Sequence, residues 1–196
     1  METFEIRGEH KTEERLVIAC QQGDRAAFRQ LYENYKDRVY SFAVYALHGD
    51  RATAEDVTQE VFVRLFSVIG QFRQEASFQT WLYRLVANAC TDELRKRRRL
   101  VSLNALGDEE GRHLGTAPDP YLQLETGQAI QEALAELNPE IRVAVLLKYY
   151  EELSYEEMAT VLECPKGTVA SRLNRGLKFL AKRLAPFCGK AAPERK

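Results

Sequence analysis

The stretch Ser154–Gly176, SYEEMATVLECPKGTVASRLNRG, reads as two short helices on either side of a break. Ser154 and Glu157 form S-x-x-E, a capping box in which side chain and backbone satisfy each other at a helix start. Tyr155, Met158, Ala159 and Leu162 then share one face. Cys164-Pro165-Lys166-Gly167 is expected to break the helix. Val169, Leu173, Leu177, Leu180 and Leu184 recur at helical spacing and predict the buried face of the second helix. Two short helices joined by a tight turn containing Gly make a helix-turn-helix. The opposite face carries Thr168, Ser171, Arg172, Asn174 and Arg175. In such motifs the first turns of the second helix meet base edges in the major groove. Arg suits guanine and Asn suits adenine, each pair discriminating by about 1–3 kcal/mol. Lys166, Thr168 and Lys178 suit phosphates, which position the protein without reading sequence. An ordinary hairpin with a solvated cationic face would share the periodicity. It would not need the capping box, the turn and the polar cluster together.

Charge is divided sharply around this break. From Glu136 to Glu163 there are seven acidic residues and two basic ones; from Lys166 to Lys196 there are nine basic residues and Glu194 alone. The net charge of the 196-residue chain is −1, so a uniformly basic coat is excluded while a local basic surface is not.

Upstream, helical patterning dominates. Phe28, Leu31, Tyr32, Tyr35, Val39 and Phe42 form one apolar stripe, with Asp24 as expected N-cap. Val57, Val61, Leu65 and Val68 form a second, with Thr53 as expected N-cap and Asp56 three residues on. A third helix is expected after Ser77, carrying Phe78, Leu82, Leu85 and Ala89 and running into Arg95–Arg99, RKRRR. Such a run often does no more than solvate a helix end; phosphate contact is the functional alternative. Phe72, Trp81 and Tyr83 interleave with Arg73 and Arg84, a mixture that suits stacking of single-stranded bases beside a tracked backbone. For Phe78 a core position is expected.

The segment LNALGDEEGRHLGTAPDPYLQ, from Leu103, is rich in glycine, proline and acid, a linker composition. Helical patterning resumes near Leu122, and Asn138-Pro139 has the N-cap and first-turn chemistry of another helix. No stretch alternates as a strand would. The reading is all-α: two small helical domains, 12–99 and 122–186, joined by a flexible linker, 100–121. A hydrophobic fraction of 45% can build both cores.

Cys20, Cys90, Cys164 and Cys188 form no CxxC pair, and His10, His48 and His113 are scattered, so neither a disulfide framework nor a metal site is expected. No nucleophile–base motif or phosphate-binding loop occurs, so no catalytic residue and no cofactor are expected. No apolar run reaches the roughly 18–20 residues that span a bilayer, and METFEIRGEHKTEER has no apolar signal core. A soluble cytoplasmic protein with no direct membrane insertion is expected.

These motifs resemble a known family. DVTQEVFVRLF, Asp56–Phe66, followed by FRQEASFQTWLYRLVAN, is similar to region 2 of bacterial sigma factors; LNPEIRVAVLLKYYEELSYEEMATVLECPKGTVASRLNRG is similar to region 4. The short acidic linker resembles that of the extracytoplasmic-function group, and the pattern is closest to its envelope-stress type. The likeness runs from about Glu13 to Leu184. It implies a subunit that binds RNA polymerase core, through the β′ clamp helices and the β flap, and directs it to promoters. It implies core-polymerase contact for Asp56, Gln59, Glu60, Phe62 and Arg64. It implies minus-10 roles for Phe72, Arg73, Ser77, Trp81, Arg84, Asn88 and Arg95 on single-stranded DNA, with the loop Phe72–Ser77 capturing a flipped base. Minus-35 duplex reading falls to Lys166, Thr168, Ser171, Arg172, Asn174, Arg175 and Lys178. An anti-sigma factor is a further implied partner. Ala170, where relatives carry a basic residue, and Asn174, where they carry an aromatic, depart from the pattern, as does the glycine-free loop RQEAS. A polymerase-independent helix-turn-helix regulator is the alternative, distinguished by tight duplex binding without core.

Overall fold

Asp24 starts the first long core helix by accepting the backbone N–H groups of Ala26 at 2.8 Å and Ala27 at 3.2 Å, the N-cap the sequence predicts. The computed structural model describes the backbone of residues 2–104 and 125–188, and side chains within 12–97, 99 and 127–187. Over that range it contains α1 (Glu2–Gln21), α2 (Arg25–Ala46), α3 (Arg51–Val68), a 3-10 turn (Ile69–Gln71), α4 (Phe78–Asn104), α5 (Glu125–Ala135), α6 (Pro139–Tyr149), α7 (Tyr155–Val161) and α8 (Lys166–Cys188). No strand occurs among the described residues. The fold is all-α, as expected.

The α2 stripe splits in two. Leu31, Tyr35, Val39 and Phe42 are buried, whereas Phe28 is half-buried and Tyr32 exposed at the edge of a groove. The α3 stripe is buried at Val57, Val61 and Leu65. Its N-cap is Asp50, not Thr53: Asp50 accepts from the Thr53 N–H at 3.1 Å and its hydroxyl at 3.0 Å. A short carboxylate at the cap outcompetes a hydroxyl one turn inside, and Arg97 from α4 adds an ion pair to it at 2.5 Å. Thr53 is therefore the donor rather than the cap.

Helix α4 begins where expected, with the Thr80 N–H donating to Ser77 Oγ at 3.1 Å. It continues through the basic run to Asn104, into the stretch read as linker. Residues 105–124, which hold the rest of that stretch and the resumption near Leu122, lie outside the described residues. Asn138 caps α6 through the Glu140 N–H at 3.1 Å, with Pro139 in the first turn.

The hairpin of α7 and α8 has its full capping box: the Ser154 N–H donates to Glu157 at 2.8 Å, and the Glu157 N–H to Ser154 at 3.2 Å. The break falls earlier than expected. Lys166 and Gly167 already belong to α8. The left-handed turn residue is Glu163, φ 49°, and a Cβ on Gly167 would meet nothing. The glycine that matters is Gly176, where a Cβ would lie 2.8 Å from Val145 Cγ2 and 2.9 Å from Ile141 Cγ2. Its absence lets α8 lie close against α6. Val169 and Leu173 are buried as expected, but Leu177 is exposed and Leu180 and Leu184 half-buried, where the later turns of α8 line an open groove with Ile130 of α5 and Tyr149 of α6.

The two helical units pack together, α4 on α7 and α2 on α5 and α6. One buried apolar cluster runs through both. Arg142 pins the junction. Its guanidinium donates to the carbonyls of Leu134 at 2.7 Å, Ala135 at 2.8 Å and Leu137 at 2.8 Å at the end of α5, and to Ala46 at 2.6 Å at the end of α2. A cation is favourable at the negative end of a helix dipole, and here it serves two. Burial lowers its pKa to about 10, so the group stays charged at neutral pH.

Candidate nucleic-acid and polymerase interface

Three surfaces hold the residues singled out above. The first is on α8. Ser171, Asn174, Arg175 and Lys178 are exposed and lie on one face by their spacing of three and four. Arg175 is steadied by Ser171, donating to its Oγ at 2.9 Å and its carbonyl at 3.3 Å. Lys166 is exposed but pairs with Glu156 on α7. Thr168 and Ala170 are half-buried. Arg172 differs from its neighbours. It turns back onto the scaffold, pairing with Glu140 of α6 and approaching Cys164 Sγ at 3.8 Å. The α8 face therefore offers hydroxyl, amide and guanidinium at successive positions, while Arg172 ties α8 to α6.

The second surface surrounds the start of α4. Phe72, Phe78 and Trp81 form an aromatic cluster, with ring centroids 5.1 Å apart for Phe72–Trp81 and 5.8 Å for Phe72–Phe78. Phe72 and Phe78 are buried; Trp81 is half-buried. Phe78 is thus a core residue, as expected, and Phe72 anchors the loop rather than standing free of it. Gln21 of α1 fastens that loop by donating to the carbonyls of Ile69 at 3.1 Å and Phe72 at 2.8 Å. Gln74 takes a left-handed φ of 58° without being glycine. Between loop and α1 is a cavity of about 410 Å³ lined by Glu13, Val17, Phe72, Gln74, Ser77 and Phe78, among others. Ser77 is exposed, as is Arg73 in the same loop. Along α4, Arg84, Asn88 and Arg95 are exposed on the side of Trp81. Arg84 is bound to Glu163, its Nε donating at 2.7 Å, and Arg95 to Asp92 at 3.3 Å.

The third surface is the α2–α3 groove. Asp56, Gln59, Glu60 and Arg64 are exposed on α3. Phe62 is buried, its ring edge-on to Tyr32 at 4.8 Å. Beside them is an open cavity of about 760 Å³ whose lining includes Phe28, Tyr32, Gln59, Phe62, Val63 and Phe66. Val63 is 63% exposed and Phe66 55% exposed. The sequence reading missed both. Their signal was there: Gln59, Phe62, Val63 and Phe66 follow helical spacing on a face beside the core stripe. A further, smaller groove of about 310 Å³ lies between the units, lined by Tyr45, Ile130, Tyr149, Leu177, Leu180 and Leu184 among others.

Among the described residues no group of three or more His, Cys, Asp and Glu could hold a metal, and no helix is long and apolar enough to cross a membrane. Cys20 and Cys90 are buried and Cys164 half-buried. Burial pushes the Cys90 thiol up to about 12, which leaves it unreactive at neutral pH.

Comparison with known proteins agrees with this geometry. Residues 31–100 match the model of sigma-70 region 2, and residues 127–180 match that of sigma-70 region 4. The chain is 32% identical to the RNA polymerase sigma-H factor of Pseudomonas aeruginosa, over 91% of this chain and 97% of that one. It is 35% identical to the ECF RNA polymerase sigma factor SigW of Bacillus subtilis, over 86% and 94%. Among solved structures, the sigma factor RpoE of Bartonella quintana, crystallised with the anti-sigma factor NepR, superimposes with a TM-score of 0.69 at 25% identity, covering 81% of this chain and 96% of that one.

Proposed function

The chain belongs to the extracytoplasmic-function sigma factors of bacterial RNA polymerase, and we propose how its residues divide the work of such a factor. As an alternative sigma factor it directs core polymerase to promoters. The α3 surface docks on core. Asp56, Gln59 and Glu60 supply charge and hydrogen bonds, Arg64 flanks them, and Phe62 holds the apolar floor beside exposed Val63 and Phe66. An acidic and apolar helix face suits a partner helix that is itself rimmed by basic groups. The start of α4 and its loop take the melted minus-10 strand. Trp81 offers a stacking face, and the cavity behind Phe72 receives a flipped base. Extrusion of a base costs a few kcal/mol, which burial in a pocket offsets. Arg73, Arg84, Asn88 and Arg95 follow the backbone. Helix α8 reads the minus-35 duplex through Ser171, Asn174 and Arg175, with Lys166, Thr168 and Lys178 on phosphates and Arg172 holding the helix in place.

The polymerase supplies the chemistry; this subunit contributes selection and strand opening. It works in the cytoplasm, where core and promoter are. An anti-sigma factor, of the kind seen with the Bartonella quintana protein, is a fitting negative regulator.

The observation that carries this reading is the coexistence of two unlike presenting surfaces on one chain: an acidic and apolar one on α3, and a hydroxyl and cationic one on α8. A free-standing helix-turn-helix regulator has no use for the first. Run-off transcription with purified core tests it. Core plus this chain should initiate at promoters that core alone ignores, and the chain alone should bind duplex promoter DNA weakly. Tight, specific duplex binding without core, and no gain in run-off product with it, is the result that rejects the reading.

A further inference from the structure

Helix α1 precedes residues 31–100, which match region 2, and the division of work proposed above leaves it without a part. It nevertheless supplies one side of the cavity of about 410 Å³ behind Phe72. Glu13, Glu14 and Val17 of α1 line that cavity together with Phe72, Glu75 and Phe78, among others. Buried Val17, Phe72 and Phe78 give it an apolar floor. Its charged lining is acidic, with no Lys or Arg. Carboxylates repel phosphate oxygens, so the cavity suits a neutral ring whose sugar and phosphate stay outside.

The α1 wall is itself firmly held. Val17 and Cys20 are buried, and the Tyr35 hydroxyl of α2 donates to Glu13 Oε1. At its end the Gly23 N–H donates to the Cys20 carbonyl at 3.0 Å and the Asp24 N–H to the Ala19 carbonyl at 3.1 Å. Gly23 takes the left-handed φ of 87° that this closure needs. Asp24 then caps α2. Gln21, the last residue of α1, is thus carried by a turn secured on both sides. From there its Nε2 spends both hydrogens on the entry to the loop, at the carbonyls of Ile69 and Phe72. The exit is secured locally, where Ser77 Oγ accepts from the Thr80 N–H. Between entry and exit residues 73–75 are exposed, and Gln74 is left-handed.

We propose that α1 is the fixed wall of the base-capture pocket and Gln21 its positioning residue: the two bonds from Gln21 hold the loop at the distance from α1 that leaves room for one base. This rests on the minus-10 role proposed above. Gln21 acts through the carbonyls of Ile69 and Phe72 rather than on the strand. Without its amide the loop is fastened at its exit, and the pocket loses its set width. Trp81, Arg84, Asn88 and Arg95 stand on α4, so stacking and backbone contact there do not depend on the loop entry. Loss of the Gln21 amide should therefore remove base capture and spare the rest of the strand contact.

Gln21→Met keeps the length of the side chain and removes both donors. Holoenzyme assembled from purified core and this chain is bound to each single strand spanning the minus-10 element of a promoter from which it initiates. An abasic site is placed at each position in turn. For the parent, one abasic position should weaken binding by about tenfold, as loss of one stacked base does. In Gln21→Met that penalty should shrink to about twofold or less, with affinity for the abasic strand unchanged. A merely structural role would weaken the intact and abasic strands alike. Should Gln21→Met lose its helical circular dichroism, Gln21→Glu, which sets an acceptor against the two carbonyls, is read in the same assay with the same expectation. A full penalty in the folded variant, or an equal loss on both strands, overturns the role of Gln21. A parent holoenzyme that initiates in run-off transcription yet shows no abasic penalty at any position rejects base capture itself. A parent that does not initiate rejects the sigma-factor reading.

Discussion

Asp50 shows how much one carboxylate carries. It caps α3 and binds Arg97 of α4, so it joins the start of one helix to the far end of another. Burial works against its charge, but the donors on Arg97 and Thr53 outweigh that and hold its pKa below the usual carboxylate range. A depressed native pKa stabilises the fold above the unfolded value, near 4, and that contribution is lost as pH falls through the native value. Asp50→Ala should therefore cost about 1–2 kcal/mol at neutral pH, as cap losses do. In thermal melts the gap between parent and variant should close as pH drops below about 4. A gap that stays constant to low pH would assign the effect to packing. On α8, Arg175 and Arg172 part company although the sequence pairs them. Arg175 is exposed, while Arg172 reaches back to Glu140. Arg175→Ala should lower run-off transcription at promoters with a good minus-35 element by about tenfold, the worth of one base pairing, and spare those without one. Arg172→Ala should instead lower the melting temperature and affect all promoters alike. Equal promoter dependence for the two would show that both read bases.

At the level of elements, the close approach of α6 and α8 depends on Gly176. A methyl group there meets two branched side chains at under 3 Å, and overpacking of this kind costs about 1–3 kcal/mol. Gly176→Ala gains helix propensity worth about 1 kcal/mol, so a net destabilisation in chemical denaturation would measure the steric cost. A more stable variant would mean that α8 shifts without resistance. The helices themselves were legible in the sequence because their signals are local. Asp24, Asn138 and the Ser154–Glu157 box act within one turn of their own residues, and each is the cap expected. Misreadings arose where a local signal had a neighbour that the pattern does not rank. Thr53 and Asp50 are both good caps, and only the backbone shows which is outside the helix. Gly167 has the composition of a turn, yet Glu163 takes the left-handed conformation and the helix starts sooner. Leu177, Leu180 and Leu184 have core spacing, but spacing cannot say whether another element lies above them. The third surface was half legible: the polar residues of α3 were visible, but Val63 and Phe66 needed α2 beside them to become a groove.

Across the whole molecule, the charge step at Cys164–Gly167 gains a physical meaning that no stretch of sequence carries alone. The partners of Glu151 and Glu163 lie 113 and 79 residues away in Arg38 and Arg84, beyond any periodicity. The proposed docking on core belongs to this scale as well, since it asks for α3 to be presented while α8 is held elsewhere. Replacing Gln59 and Glu60 together by Ala should weaken core binding by about tenfold or more, as loss of central interface contacts does, with circular dichroism unchanged. Unaltered affinity would move the docking surface off α3. The junction gives the last expectation. Arg142 satisfies carbonyls at the ends of α2 and α5 at once, and it is 1% exposed. Lysine in its place keeps the charge but not the planar fork, and a single ammonium cannot span both helix ends. Arg142→Lys should leave buried carbonyls unpaired and cost about 2–4 kcal/mol, on the scale of one or two unsatisfied groups. Because the same guanidinium serves both units, amide hydrogen exchange should accelerate at the C-terminal turns of α2 and of α5 together. Faster exchange at α5 alone would show that the bond to Ala46 contributes nothing and that the units are joined by apolar packing only.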